Sequence, residues 1–256
     1  MNILRFFKEN SLCIGRDIFR TQLNAVSRFY NALLNKQFAQ NLQKVEQILV
    51  ENKESLEAVV KEAIKRGNES NLGGKTEICT YLKARVIGDR TAVITHLLPI
   101  EDVLKKGVME FFPTKIKRKK ILIGYNGDIH SHTDHGSSEF SYRDLKSIED
   151  SPLGLLIWKM YEQEWHISAI TKNSFFIYDG NSFNKKYDVD IEDTKHSSLG
   201  NCKKVTYINP NSRYVGLLYF TSPLWNIKER IAPYFFKDSK PFKLKYPIDY
   251  SNPVFE

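Results

Sequence analysis

Residues 128–144 read DIHSHTDHGSSEFSYRD and contain three of the six histidines in this chain. The apolar run just before them, 121–125, has the composition of a strand, and the residues from Tyr142 onward have the pattern of a helix. A strand, a polar loop and a helix are therefore predicted in that order. The polar residues at the end of the strand and the start of the helix are of the types that bind metals.

The spacing of these polar residues suits a single metal ion. On an extended backbone residues two apart point to the same side, which aligns His130 with His132. On a helix residues three apart share a face, which places Ser141 beside Asp144. Two histidines and a carboxylate leave a fourth tetrahedral position for water, as in hydrolytic zinc sites. The base that a hydrolase also needs must come from elsewhere, and the best candidate is Glu77, in a strand-like segment.

Two other interpretations of the same residues stay open. Ser141 and Asp144 also fit a helix-capping box, which uses these residue types at this spacing. The hexapeptide 128–133 resembles the opening motif of PHP-type metal-dependent phosphoesterases, which need several further metal ligands. That motif normally opens its domain, whereas here it lies at mid-chain with only two histidines after residue 135.

Taken together with Glu77, the stretch resembles the JAMM (MPN+, JAB-domain) zinc isopeptidases. Their signature is an upstream Glu, then H-x-H, then several residues, then S-x-x-D. Here these elements are Glu77, His130-Ser131-His132 and Ser141-Tyr142-Arg143-Asp144. The resemblance covers residues 70–180, and it implies an α+β fold: an α/β sandwich with a JAB/MPN-like mixed β-sheet flanked by helices.

The resemblance also implies a site and a reaction. His130, His132 and Asp144 would bind one Zn²⁺ per chain, with Glu77 as general base and acid and Ser141 stabilising the oxyanion. The reaction would be hydrolysis of the isopeptide or peptide bond after the C-terminal tail of ubiquitin or a ubiquitin-like protein, with zinc-bound water as the nucleophile. That tail would bind as an added strand, through backbone hydrogen bonds.

Several positions depart from the family pattern. Thr133 stands where the family usually has proline, and Thr80 stands where a small residue is usual. The pair 127–128 (Gly-Asp) replaces the usual aromatic or aliphatic approach to the histidines. A catalytically weak MPN-type scaffold therefore remains an alternative to an enzyme. In the adjoining loop, Asp134 and His135 would form a pair beside the metal ligands, supply a substitute ligand or lie in an exposed stretch.

Composition limits the classes of protein that are compatible with this chain. A net charge of +8, with 27% charged and 41% hydrophobic residues, fits a folded protein, and no nucleic-acid motif accompanies the charge. Three widely spaced cysteines argue against a disulfide framework. The N-terminal residues lack the apolar core expected of a secretory signal, and no apolar run reaches the ~18 residues that a membrane span needs. We therefore expect a cytoplasmic protein with no membrane or nucleic-acid partner.

Three regions are predicted along the chain. Residues 1–69 would form a helical N-terminal extension, because apolar residues recur every three or four positions from 17 to 66. This stripe suits packing, and a protein partner could also bind there. Residues 70–235 would form the catalytic domain, with short helices at 101–106 and 224–231 besides the helix that starts at Tyr142, and 236–256 would form an extended Pro-containing tail. The strands expected in that domain are 76–87, 92–98, 121–125, 153–158, 165–170, 175–178 and 215–220.

Overall fold

β-Strands dominate this structure, a computed structural model, and make up 52% of it. It describes residues 32–69, 77–98, 110–111, 124–132, 140–159, 164–198, 200–209, 215–223, 228–230 and 242. The strands are β1 (Gln47–Val50), β2 (Glu77–Ile87), β3 (Thr91–Leu97), β4 (Glu110–Phe111), β5 (Gly127–Ser131), β6 (Leu153–Lys159), β7 (Trp165–Ile170), β8 (Ser174–Tyr178), β9 (Ser182–His196), β10 (Gly200–Ile208), β11 (Val215–Thr221) and β12 (Lys228–Arg230). The helices of the described residues are α1 (32–42), α2 (Lys53–Glu69) and α3 (Tyr142–Ser147).

Eight of the strands close into a barrel in the order β1-β3-β2-β5-β6-β7-β8-β9. The short strand β1 completes the ring, since it pairs in parallel with β3 and antiparallel with β9. Closure removes the exposed edges that an open sheet would present. β10, β11 and β12 extend the sheet beyond β9, and β4 pairs with β2.

The two faces of the barrel strands belong to two hydrophobic clusters. The first draws residues from all eight barrel strands and from α1 and α2. The second lies on the other face of β6–β8, where α3 and β10 pack. β6 shows the alternation: Leu155 and Ile157 belong to the first cluster, whereas Leu156 and Trp158 belong to the second.

The connection between β5 and β6 positions the candidate site. These neighbouring strands are parallel, so the chain must cross over between them, and α3 lies in this crossover. His132 continues the pairing just past β5, because its backbone N–H donates to Ile157 O at 2.8 Å. The N-terminus of α3 therefore comes close to the carboxyl end of β5.

The start of β5 requires a glycine. A Cβ atom on Gly127 would lie 2.5 Å from the carbonyl oxygen of Leu153 and 2.6 Å from Cδ1 of Leu82. Such distances are too short for any side chain, so only glycine lets β5 fit between β2 and β6. The histidines are therefore fixed by backbone pairing on both sides.

The predicted α+β sandwich with a helical N-terminal extension is wrong. The structure is mostly strand and closes into an eight-stranded barrel. Residues 47–50 continue the helical spacing in the sequence, yet they form the strand that closes the barrel. Pairing on both edges, together with full burial of Ile48, outweighs the local pattern. The predicted domain boundaries at residues 70 and 236 lie outside the described residues and stay predictions.

Most of the predicted strands are confirmed to within about two residues, namely β2, β3, β6, β7, β8 and β11. The helix predicted at 224–231 is wrong where the structure describes it, because Lys228–Arg230 is a strand paired with β11. Of the strand predicted at 121–125 the structure describes only residues 124 and 125, which are not strand, and the described strand in this region is β5. The helix predicted at 101–106 lies outside the described residues. β9, which carries many charged residues, and β10, which carries Lys203 and Lys204, were not predicted.

Candidate metal centre

Three side chains from two elements converge above the carboxyl end of β5. A ligand atom from each of His130, His132 and Asp144 lies within 4.8 Å of the others. His130 and His132 are 8% and 5% exposed, and their ring centroids are 5.1 Å apart. The convergence that the spacing of these residues predicted is therefore present, and among the described residues no other group of three or more potential ligands comes together.

Asp144 takes part in two kinds of contact. Its Oδ1 lies 3.3 Å from Nε2 of His130, and its Oδ2 lies 3.4 Å from Nε2 of His132. Oδ2 also accepts a hydrogen bond from the backbone N–H of Ser141 at 2.6 Å, while Ser141 Oγ accepts one from Asp144 N–H. The capping box is thus present, and it holds the carboxylate against both rings.

The electrostatics of the group are those of a buried ion pair. Burial by itself lowers the pKa of His130, but the carboxylates of Asp144 and Asp128 outweigh it and bring that pKa well above its ordinary value. Burial likewise raises the pKa of Asp144, but His130 and His132 together hold it well below its usual range. The Asp144 carboxylate and the His130 ring therefore favour each other's charged forms.

These residues fit a metal ion. Nε2 of His130 is buried and has no hydrogen-bond partner, although it faces Asp144 across 3.3 Å. Imidazole nitrogens and a carboxylate oxygen are donors that zinc accepts. A divalent cation at this point would offset the charge of the carboxylate and satisfy the buried nitrogen. The three residues can therefore hold a metal ion.

Glu77, the predicted base, lies on the neighbouring strand β2. Cys79 on β2 pairs with His130 on β5, and the two strands are antiparallel. Continuing this register by two residues places Glu77 opposite His132. Residues two apart in a strand belong to the same face of a sheet. By register, Glu77 is thus on the face that carries the histidines. Its side chain lies outside the described part of the structure.

Asp128 is a neighbour of the site to which the zinc interpretation of the sequence gave no role. Its Oδ1 lies 3.5 Å from Nδ1 of His130, the ring nitrogen that faces away from Asp144. The alternation of residues 128, 130 and 132 on one strand face would have indicated this contact. Asp128 also lies opposite Tyr81 on β2. The pKa of Tyr81 is raised to about 12, mainly by burial and to a smaller extent by the nearby Cys79 and Asp128.

One departure from the family pattern lies away from the metal ligands. Thr80 is fully buried on the opposite face of β2, and its hydroxyl donates to Leu98 O at 2.8 Å. It therefore replaces a small residue without entering the site. Thr133, Asp134 and His135 lie outside the described residues, as does the basic run 115–120.

No protein-family model and no curated protein matches this chain. Among solved structures, the Trichoplax adhaerens STIL N-terminal domain is 13% identical with a TM-score of 0.32, over 66% of this chain and 48% of that one. The match thus spans about half of that structure, and at this TM-score it supports neither a fold nor a function.

None of the described helices is both long enough and apolar enough to cross a bilayer.

Proposed function

We propose that this chain is a zinc-dependent hydrolase of peptide or isopeptide bonds. The observation that carries the proposal is the meeting of His130, His132 and Asp144 in one buried group. Two imidazoles and one carboxylate from the protein are the ligand set of zinc sites that keep an open position. Zinc held there would act as a Lewis acid, which activates water near neutral pH and polarises a carbonyl group.

Glu77 is proposed as the general base and acid. A base must lie within hydrogen-bond reach of the proton that it removes, on the substrate side of the ligands. The register of β2 against β5 supports this, because it brings Glu77 level with His132 on the same face. The backbone pairing of Cys79 with His130 fixes that relation between the strands.

Ser141 is proposed as the donor to the oxyanion. Its Oγ accepts a hydrogen bond from Asp144 N–H at 3.3 Å, and a hydroxyl that accepts a bond still has its own proton to donate. The capping box fixes the Ser141 backbone at the N-terminus of α3, next to Asp144. The hydroxyl would then donate to charge that develops on the substrate oxygen.

The substrate class follows from the motif resemblance to the JAMM isopeptidases. On that ground the bond cleaved is the one after the C-terminal tail of ubiquitin or of a ubiquitin-like protein. The fold does not support the resemblance, since the sandwich that it implied was wrong. The ligand set and the order of the motif along the chain are its support.

Binding of a further protein through residues 17–66 stays a prediction, although Leu42, Val59 and Val60 of that stripe pack in the first cluster.

The test is cleavage of a ubiquitin-like protein fused through its C-terminus to a reporter. Wild type should release the reporter, and Glu77→Gln should keep its zinc but lose about 10²- to 10⁴-fold in rate. Glu54→Gln, on α2, is the matched control and should cleave like wild type.

The two alternatives give different results in the same assay. A PHP-type phosphoesterase would bind two or three metals, release phosphate from a phosphate ester and leave the fusion intact. A scaffold would cleave neither substrate. A zinc-loaded wild type that cleaves no fusion, or a Glu77→Gln variant as fast as wild type, would refute the proposed reaction.

A further inference from the structure

We propose that Asp128 is a positioning residue that holds the His130 ring in the orientation a metal needs. This inference rests on the metal site proposed above. Oδ1 of Asp128 lies 3.5 Å from Nδ1 of His130, and Oδ1 of Asp144 lies 3.3 Å from Nε2 of the same ring. The ring is thus held between two carboxylates, one at each nitrogen.

The two nitrogens of a metal-binding imidazole have different tasks. One binds the ion, and the other carries a proton that is usually donated to a carboxylate or a carbonyl. That second contact fixes the tautomer and the ring plane and makes the ligand nitrogen more basic. In His130, Nε2 faces Asp144, so Nδ1 is the nitrogen that must be anchored. Asp128 is the carboxylate placed to do so.

The surroundings of Asp128 strengthen this contact. Asp128 is 8% exposed, on a strand whose other residues are all buried. Gly154 pairs with it on β6, and a Cβ on Gly154 would lie 3.7 Å from the ring of Phe140. Phe140 packs edge-on to His130 with the ring centroids 6.1 Å apart. An aromatic ring thus covers the pair, and exclusion of water strengthens the attraction between a carboxylate and an N–H group.

Asp128 is an acidic residue on a strand whose residues are all buried. Burying a carboxylate is unfavourable unless the charge is paired, and an apolar residue would suit a buried strand better. The ion-pair partner of Asp128 is His130. The resemblance to the JAMM isopeptidases predicts an aromatic or aliphatic residue here, so the carboxylate belongs to this chain and not to the family pattern. Anchoring of the first histidine accounts for it.

The experiment compares zinc affinity, by chelator competition, in wild type, Asp128→Leu and Asp128→Asn. Asp128→Leu should bind zinc about 10- to 100-fold more weakly, the usual effect of losing such a partner. Asp128→Asn keeps an oxygen that accepts the N–H bond and should recover most of the affinity. Asp190→Leu removes an exposed carboxylate from β9 and is the control, with affinity unchanged.

Nitrogen-15 NMR of the histidine rings supplies a readout that a purely structural role would not change. Zinc-loaded wild type should show His130 bound through Nε2, with a protected Nδ1 proton that Asp128→Leu loses and Asp128→Asn keeps. This spectrum also decides the matter if Asp128→Leu does not fold, because a wild-type His130 that binds through Nδ1, or whose Nδ1 proton exchanges freely, overturns the inference.

The outcomes separate the inference from the proposed function. If wild type and Asp128→Leu bind zinc equally, Asp128 has no positioning role and the metal site stands. If wild type binds no metal, both the site and the inference fail. Weaker binding by Asp128→Leu, restored in Asp128→Asn, supports both.

Discussion

The Oδ1 atom of Asp144, in the first turn of α3, lies 3.3 Å from Nε2 of His130, on β5. The contact joins the helix that the sequence predicts from Tyr142 onward to β5, which lies just after the strand predicted at 121–125. Asp144 is therefore both a capping residue and a ligand candidate. The helix-cap interpretation and the metal-ligand interpretation of the sequence therefore both apply to Asp144.

The two roles of this capping box can be separated by two variants. Ser141→Ala should cost about 1 kcal/mol of folding free energy, because the N-cap oxygen is lost, and should leave zinc affinity unchanged. Asp144→Asn keeps an oxygen that accepts the Ser141 N–H bond but removes the ligand charge, so it should lose most of the zinc affinity. Thermal unfolding and chelator competition measure the two effects. Equal zinc binding by both variants would show that Asp144 only caps the helix.

The close fit of β5 between its neighbours predicts a large effect of one methyl group. In Gly127→Ala the added Cβ would collide with the Leu153 carbonyl oxygen at 2.5 Å, and overpacking of this kind costs about 1–3 kcal/mol or more. Gly154→Ala is the control, because the nearest atom to its Cβ is 3.6 Å away. Denaturant unfolding should show a loss in the first variant and little change in the second. The reverse order would contradict the described strand packing.

A buried histidine on β7 predicts loss of stability in acid. Burial lowers the pKa of His166 from 6.5 to about 4, and the ring stacks on Trp158 with centroids 4.6 Å apart. Because the pKa of His166 is lower in the folded state than in the unfolded state, protonation of the ring favours unfolding. The contribution of the neutral ring to the free energy of unfolding is therefore complete above about pH 6.5. That contribution, at most about 3 kcal/mol, should be lost as the pH falls from 6.5 towards 4 and stay constant below.

His166→Phe is the matching variant, since it keeps an aromatic ring against Trp158 and cannot take up a proton. Urea unfolding between pH 7 and pH 4 should show a shallower loss of stability for His166→Phe than for wild type. Parallel curves for the two proteins would exclude this histidine as a source of acid sensitivity.

Barrel closure by β1 predicts that the chain from residue 70 onward does not fold alone. That fragment lacks the strand between β3 and β9 and the helix α2, whose Leu56, Val60 and Ala63 are buried in the first cluster. Far-UV circular dichroism and NMR shift dispersion should show an unfolded or aggregated fragment. A fragment with native-like dispersion would mean that the N-terminal residues are not part of the barrel.

The sequence predicted the meeting of His130, His132 and Asp144 better than it predicted the fold, and the difference has a physical cause. His130, His132 and Asp144 are close in sequence, and their convergence follows from the local geometry of a strand and a helix start. Barrel closure instead depends on pairing between distant segments, such as Gln47 with Asn184, which no local pattern encodes. β1 carries helical spacing but takes strand conformation because both of its edges are paired.

The polar strands were missed for a related reason. β9 carries charged residues along most of its length, and residues beyond Val189 are largely exposed or half-buried. Its partner β10 pairs with it from Gly200 to Ile208, so backbone hydrogen bonds specify this hairpin more than burial does. Hydrophobic periodicity predicts only strands with a buried face.

The most direct test of the metal centre is the metal content of the purified protein, measured by inductively coupled plasma and native mass spectrometry. Wild type should carry one zinc ion per chain, and His132→Ala and Asp144→Asn should each lose it while remaining folded. A wild-type protein that binds no zinc when it is supplied, or variants that retain zinc as wild type does, would contradict the assignment of His130, His132 and Asp144 as a metal site.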